Sequence, residues 1–340
     1  MLNSIYETNK YRLPLLEFVG NTSTEKTFSI AFAYMMSEKQ DNVTWALERC
    51  RELLHSKDLY PKVIVTDRDN ALINDVETVF PDTTTLLSSH HIGQNVRAKC
   101  KTDCKVKDLK GKDGKEIKPS SVVKTVMVAW MDIVDSETEK TYIDNWNRFK
   151  VVCGKFPKFL EYVEKTILDP VKEKVVRFWV DKAIHMGNTT TNRAEYAYTR
   201  LKKYLSSSMS DLRTNWEFVH DKLELQHTVI HASFQTSIIM LEHRFKGKAL
   251  WSRLIRNISR EALYHLIEEY DKVLEIGTNK SRCGFLSLIT HGLPCACTIA
   301  LKIKKGTALR LDEIHTHWKR LRFEYEVDLK VLKADISLLP

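Results

Sequence analysis

One stretch decides the fold class of this chain: Lys62-Val63-Ile64-Val65-Thr66-Asp67-Arg68-Asp69-Asn70-Ala71-Leu72. Its β-branched run predicts a short buried strand of an α/β sheet. Apolar residues at spacings of three and four then predict a helix over residues 69–80, which Asp69 is placed to cap. Asp67 stands at the carboxyl end of the strand, where open α/β sheets place ligands and chemistry. Asp67 therefore has two interpretations at this point, an ordinary strand-end residue or a functional carboxylate.

The neighbouring segments extend this strand into a mixed sheet with helices on its faces. Strands are predicted over residues 12–20, 28–34 and 85–89, and a helix capped by Asp41-Asn42-Val43-Thr44 follows the second of them. No strand is predicted before Tyr6. After residue 90 the pattern changes, since residues 99–118 are rich in lysine and predict a solvated loop.

Composition limits the class of protein. With 340 residues, 43% of them hydrophobic, the chain can bury a sizeable core and form two or three domains. No apolar run reaches the roughly 18 residues of a membrane span, and the N-terminus lacks the profile of a signal peptide. Seven unevenly spread cysteines argue against a disulfide framework and for a reducing compartment. A net charge of +9 is compatible with a polyanionic partner.

The second informative segment runs from His185 to Leu205. Its threonines predict the start of a helix, and Glu195 falls in the first turn, where the helix dipole favours a carboxylate. That position alone explains the residue structurally, while a carboxylate among cations is also a candidate metal ligand beside a polyanion. The cations on this helix are Arg193, Arg200, Lys202 and Lys203.

Several motifs, taken in chain order, resemble the Mutator-like element (MULE) transposase domain. They are Tyr6-Glu7-Thr8-Asn9-Lys10-Tyr11-Arg12-Leu13-Pro14-Leu15-Leu16, Phe32-Ala33-Tyr34, Val65-Thr66-Asp67-Arg68, Phe80-Pro81-Asp82, His91 with Asn95-Val96, and Thr190-Thr191-Asn192-Arg193-Ala194-Glu195. The chain is similar to the plant branch that includes the far-red-impaired-response transcription factors.

This resemblance implies an RNase H/integrase-like fold, in which three carboxylates hold two divalent ions, Mg²⁺ or Mn²⁺, for DNA cleavage and strand transfer. By position, Asp67 matches the second acid and Glu195 the third, so we expect their carboxylates within about 4–8 Å of each other. Asn3 stands where the family has its first acid, and the strand that carries it is expected to be missing. Ser88 replaces the cysteine of the family's Cys-x-x-His, and His91 keeps the histidine.

A third motif lies near the C-terminus and resembles the SWIM zinc finger, Cys-x-Cys…Cys-x-His. Cys283 and Cys295 match, Cys297 replaces the histidine, and Phe285 replaces the second cysteine. His291 is near enough in sequence to substitute as a ligand. We expect the three cysteines to converge, with Phe285 turned into the apolar core. The alternative is a turn of reduced cysteines that binds no metal.

The predicted organisation has four parts. Residues 1–210 form the transposase domain with a helical insertion at about 120–182, residues 211–275 are helical, residues 276–320 carry the degenerate zinc-finger segment and a closing helix, and residues 321–340 form a tail.

Two function classes follow from these predictions. The first is a transposase-derived nuclear protein that is catalytically impaired and keeps DNA- or protein-binding capacity. The second is an active metal-dependent DNA transposase that uses Asp67 and Glu195. Homo-oligomers or protein partners fit either class, and a membrane partner fits neither.

Overall fold

A computed structural model describes residues 1–5, 8–54, 56–67, 70–105, 118–205, 210–240 and 242–323. The chain forms two compact units. One comprises residues 1–3 and 35–192, and the other comprises residues 4–34 and 193–340. Several predicted features lie outside the described residues: the Tyr6-Glu7 start of the first motif, Asp69 as a helix cap, most of the lysine-rich loop, and most of the tail.

The first unit carries a parallel strand pair and eight of the sixteen α-helices labelled in the described residues. Its strands are β4 (Val63–Thr66) and β5 (Thr84–Leu87), paired from Val63 with Thr84 to Thr66 with Leu87. Its helices up to residue 134 are α1 (Gln40–Glu52), α2 (Asn70–Val79), α3 (Ser89–Asp103) and α4 (Pro119–Val134). Those that follow are α5 (Glu139–Val152), α6 (Pro157–Glu161), a π-helical turn Tyr162–Leu168, α7 (Asp169–Val171) and α8 (Arg177–Val180).

The segment predicted as a helical insertion is helical from α4 to α8 and contributes most of an extensive apolar core among the described residues of this unit. Trp130, Phe149 and Phe159 are fully buried in that core, together with Ile92 and Val96 of α3. Aromatic side chains of this size bury about 150–250 Å² each. The helices after β5 therefore stabilise the first unit around the carboxyl ends of its two parallel strands.

The second unit is built on an antiparallel hairpin. Strands β2 (Leu15–Asn21) and β3 (Thr27–Tyr34) pair from Leu15 with Tyr34 to Asn21 with Thr27, with an irregularity between Phe18 and Val19. The helices of this unit begin with α9 (Asn192–Tyr204), whose first residue falls in the first unit, and α10 (Leu212–Ile239). The others are α11 (Arg260–Asp271), α12 (Val273–Ile276), α13 (Lys280–Cys283), α14 (Leu286–His291), α15 (Ala296–Lys305) and α16 (Thr316–Lys319).

A buried ion pair joins the hairpin to α10. Lys222 Nζ lies 2.8 Å from Glu17 Oε1 and donates to Ser29 Oγ at 3.1 Å, while Ser29 Oγ donates to the same carboxylate oxygen at 2.6 Å. The Glu17 side chain is 0% exposed and that of Lys222 is 5% exposed. Burial lowers the pKa of Lys222, and the Glu17 carboxylate opposes that shift. Removing one partner of such a pair costs about 3–5 kcal/mol, because the other charge stays buried.

Three expectations about the fold were wrong. A strand does precede residue 6: β1 (Leu2–Ile5) is the outer strand of a three-stranded sheet of order β1-β2-β3. The strands of the described residues form this sheet and the separate β4-β5 pair, rather than one mixed sheet. Helix α1 begins at Gln40, with Lys39 as its N-cap, so Asp41 lies inside the first turn instead of capping it. No helix in the described ranges has the length and apolarity to cross a membrane.

Candidate functional site

Asp67 directly follows β4, as the sequence predicts. Ile64, Val65 and Thr66 are buried, while the Asp67 side chain is 41% exposed. Thr66 Oγ1 donates to the Asp67 carbonyl oxygen at 2.5 Å. The strand thus ends in a buried, hydrogen-bonded residue, and the Asp67 side chain that follows it reaches solvent.

The second parallel strand brings Ser88 and His91 to the same edge, since the carboxyl ends of parallel neighbours coincide. Ser88 N donates to the Thr66 carbonyl oxygen at 2.9 Å, which continues the ladder by one residue past β5. Helix α3 then begins, and its third residue is His91. His91 Nδ1 lies 2.7 Å from Asp67 Oδ1 and 3.3 Å from Ser88 Oγ.

Thr191 completes this cluster from a distant part of the chain. It is 1% exposed, and its Oγ1 donates to Asp67 Oδ1 at 3.1 Å. Thr191 Oγ1 also lies 3.1 Å from His91 Nδ1, and the backbone nitrogen of Thr191 lies 3.4 Å from Ser88 Oγ. We call Asp67, Ser88, His91 and Thr191 the Asp67 centre. All four residues belong to the first unit.

Sequence reasoning missed the role of Thr191, which it interpreted only as a helix-starting threonine. The signal that could have found it is its place in the Thr190-Thr191-Asn192-Arg193 motif, four residues before Glu195, a candidate metal ligand. A capping role alone gives no reason for a fully buried hydroxyl on a carboxylate 124 residues away.

The geometry of the Asp67 centre excludes a serine-hydrolase triad. In that machinery the nucleophile contacts one imidazole nitrogen and the carboxylate contacts the other. Here Ser88 Oγ and Asp67 Oδ1 both approach Nδ1 of His91. The arrangement instead offers one carboxylate and one imidazole side by side, which are ligand types for a divalent metal ion.

The fit of the Asp67 centre to a pair of Mg²⁺ or Mn²⁺ ions is partial. Two-metal sites hold ions about 3.5–4 Å apart, with carboxylates bridging them. Asp67 is the one carboxylate of the centre as defined. Residue 3 lies within strand β1, and the side chain at that position is an amide rather than an acid.

Glu195 lies in the second unit, in the first turn of α9, and is partly exposed. Its carbonyl oxygen accepts from the hydroxyl of Thr199, one turn later in the helix, at 2.9 Å. Because Asp67 belongs to the other unit, the expected proximity of the two carboxylates stays a prediction.

The four cations predicted to bind DNA have different surroundings. Arg193 donates to the Glu25 carbonyl oxygen at 2.8 Å and lies 3.2 Å from the Glu25 carboxylate. The pKa of Glu25 is lowered by a hydrogen bond with His265 and, to a smaller degree, by the Arg193 charge. The Arg200 and Lys202 cations lie 5.9 Å from the rings of Tyr196 and Tyr198 respectively.

Lys203 is exposed, like Arg200 and Lys202. Arg193 is therefore engaged inside its own unit, and three of the four cations face solvent.

The three cysteines of the C-terminal motif converge as expected. The Sγ atoms of Cys283, Cys295 and Cys297 all lie within 4.8 Å of one another, and those of Cys295 and Cys297 are 3.5 Å apart. Zn–S bonds of about 2.3 Å in a tetrahedron imply sulfur separations of about 3.8 Å. This cluster therefore has the dimensions and the chemistry to hold a metal such as zinc.

The local fold explains how the cysteines meet. Cys283 ends α13, the backbone turns through Gly284 and Phe285 at positive φ (61° and 56°), and Cys295 is the N-cap of α15. Burial would raise the pKa of the Cys283 thiol, but hydrogen bonds from the Cys297 and Phe285 backbones outweigh it and lower that pKa. Burial and neighbouring sulfurs raise the pKa of Cys297 to about 12. One thiol of the cluster thus ionises before another.

Two expectations for this motif need correction. Phe285 is partly exposed in a left-handed backbone conformation and is not turned into the core. His291 is not a member of the metal-ligand cluster found among the described residues; its Nδ1 lies 2.7 Å from Thr290 Oγ1, and its ring stacks with that of Trp318. The cysteine cluster therefore has three protein ligands.

A comparison with protein families finds the MULE transposase domain at residues 1–95. This match supports a MULE transposase domain in the chain and a Mutator-like, transposase-derived protein. It includes Asn3, Asp67, Ser88 and His91, and it ends before Glu195 and the cysteine cluster.

Among curated proteins, the chain is similar to a PKS-NRPS hybrid synthetase from Chaetomium globosum, with 23% identity over 346 residues. The alignment covers 94% of this chain and 7% of that protein. The similarity therefore extends through both units, and the chain corresponds to a small part of the relative's length.

Proposed function

We propose that this chain is a nuclear, transposase-derived DNA-binding protein whose metal centre is catalytically impaired. The observation that carries the proposal is the amide at position 3, inside the matched MULE domain and on a formed strand. In the family that this region resembles, the equivalent residue is the first of three metal-binding acids.

The proposed impairment follows from charge. Two divalent ions bring four positive charges, and three carboxylates would offset up to three of them. With Asn3, only Asp67 and Glu195 remain, so the offset falls to two. An amide can offer one oxygen to a metal ion, but it carries no charge and cannot bridge two ions as a carboxylate does. We infer that the RNase H-like site binds such ions weakly and does not cleave DNA.

In this proposal the protein keeps DNA binding although it has lost DNA cleavage, because binding needs only surface cations. Arg200, Lys202 and Lys203 lie on one helix, and the whole chain carries a net charge of +9. Contacts of this kind to phosphates release counterions, so the affinity should fall steeply as salt rises. In the same unit, the three-cysteine cluster would act as a SWIM-type zinc site that has one protein ligand fewer and that stabilises the second unit.

The active transposase remains the second candidate, and strand β1 is the observation that favours it. Because that strand is formed, residue 3 already has a backbone to hold it. A single substitution, Asn3→Asp, is then enough to supply the third carboxylate.

The test is a nicking assay on supercoiled DNA with Mg²⁺ or Mn²⁺. We expect no cleavage by the unmodified chain, cleavage by Asn3→Asp, and none by Asn3→Asp combined with Asp67→Ala. Cleavage by the unmodified chain that Asp67→Ala abolishes would show a working enzyme and overturn the impaired site.

DNA affinity is measured separately, with Lys203→Glu as the test and Lys158→Glu, an exposed lysine of the first unit, as its control. We expect Lys203→Glu to weaken binding and Lys158→Glu to leave it unchanged. Equal effects of the two reversals would contradict a DNA surface on α9.

A further inference from the structure

A long groove lies in the first unit between α3 and α4, with a volume of about 1020 Å³. Its floor is apolar and consists of Cys104, Val123, Met127, Val128 and Met131. Val128 is 51% exposed and Met131 is 47% exposed, although both belong to a helix that buries Trp130 completely. The helix therefore has one face in the core and a second apolar face in solvent.

The rim of the groove is basic. Arg97, Lys101, Lys105 and Lys124 line it, against a single acid, Asp132. The Asp132 carboxylate lies 3.0 Å from the Arg148 guanidinium, so its charge is already offset. Arg97, Lys101 and Lys124 form no ion pair with any residue that the structure describes. The groove thus combines two exposed apolar side chains, Val128 and Met131, with basic side chains on its edges that pair with no acid among the described residues.

We propose that this groove binds an acidic amphipathic helix of a partner protein. The floor runs along α4 from Val123 to Met131, nine residues with a rise of about 12 Å between the first and the last, which matches two turns of a docked helix. A helix in such a groove places apolar side chains at i, i+3, i+4 and i+7 on the floor and its acids against the basic rim. The exposed Met131 suits this role, because its unbranched side chain adapts to an incoming apolar surface.

The floor argues against nucleic acid as the occupant. Phosphates gain from polar and charged contacts, whereas the exposed Val128 and Met131 side chains gain from being covered by apolar side chains. The chain's own segment 106–117, which connects the two helices, is a poor match in charge. It contains four lysines and three acids, so it would bring positive charge to a positive rim.

The experiment measures binding of a fluorescent 16-residue peptide with leucines at i, i+3, i+4 and i+7 and glutamates on its other face. We expect the full chain to bind it, and to bind a scrambled peptide or a lysine-for-glutamate peptide at least about tenfold more weakly. Met131→Glu and Lys101→Glu should each weaken binding about tenfold or more. The control is Val151→Glu, on an 82% exposed side chain of α5 outside the groove, which should bind normally.

Circular dichroism of all three variants confirms that each is folded before binding is compared. Binding that Met131→Glu leaves unchanged would place the peptide elsewhere and overturn the proposal. Displacement of the peptide by duplex DNA that itself binds in a Met131-dependent way would assign the groove to nucleic acid. Binding that appears only after residues 106–117 are replaced by a glycine-serine linker of equal length would show that this segment occupies the groove, and would overturn the proposal as well.

Discussion

Replacing Thr191 by valine should loosen the Asp67 centre without opening a cavity. Valine has nearly the shape of threonine but lacks the hydroxyl that donates to Asp67 Oδ1 at 3.1 Å. Thr191 is 1% exposed, so no water takes its place within the packed interior. The substitution therefore removes one donor from the carboxylate and leaves the packing around residue 191 unchanged.

The size of the stability loss follows from the solvent exposure of Thr191 and of Asp67. A hydrogen bond to a charged group contributes about 1.5–3 kcal/mol. Asp67 is 41% exposed, so water can solvate its carboxylate once the hydroxyl is gone, and the loss should lie at the lower end. We expect a decrease of about 1.5 kcal/mol in the free energy of unfolding of the first unit. With a denaturant dependence of about 2–3 kcal/mol per molar, the urea midpoint should fall by roughly 0.5 M.

The assay is urea unfolding of Thr191→Val beside Thr190→Val. Thr190 is the neighbouring threonine and is only partly buried, so its replacement tests the effect of valine at the same point of the chain. We expect the control to match the unmodified chain within about 0.5 kcal/mol. Equal midpoints for the two variants would refute the argument that the Thr191 hydroxyl stabilises the Asp67 centre.

Two further predictions concern the second unit. Phe285→Cys should supply a fourth thiolate and tighten zinc binding roughly a hundredfold, since four ligands share a binding free energy of about 10–16 kcal/mol. Competition with a chelator measures the affinity. Phe285→Ser, which removes the ring without adding sulfur, should show no gain. Burial lowers the pKa of His317 from 6.5 to about 4, so the folded state holds the neutral imidazole and the unfolded state takes up the proton first. Stability should therefore fall by up to about 3 kcal/mol between pH 6.5 and pH 4. In His317→Leu, the free energy of unfolding should differ less between pH 6.5 and pH 4. An unchanged difference would contradict the assignment of this pH dependence to His317.

The sequence predicts local features well where a side-chain pattern repeats. The run Val63–Val65 predicts β4, and the spacing of apolar residues predicts α2. The convergence of Cys283, Cys295 and Cys297 was predicted from a motif whose ligands lie within 15 residues. In each case the information is carried by residues close together in the chain.

Features that depend on distant partners were missed. Strand β1 contains Leu2-Asn3-Ser4-Ile5, which has no marked strand pattern, and it becomes a strand by pairing in the sheet with β2. Thr191 reaches Asp67 across 124 residues. Phe285 was expected in the core on hydrophobicity, but the turn at Gly284 and its own positive φ leave it partly in solvent. Neither pairing nor backbone handedness can be read from residue type alone.

The buried ion pair of Glu17 and Lys222 has a consequence for the alignment of α10 along the hairpin. This helix has 28 residues and is about 42 Å long, and it also contacts the hairpin through Gln226 Oε1, which accepts from Ser29 N at 3.2 Å, and Ser233 Oγ, which lies 2.6 Å from Thr24 Oγ1. Displacement by a turn would carry the lysine about 5.4 Å along the axis and leave two buried charges unmatched. One register of the helix against the hairpin is then favoured by several kcal/mol over its neighbours. The second unit therefore aligns its 28-residue helix on the hairpin by charge and hydrogen bonding as well as by packing.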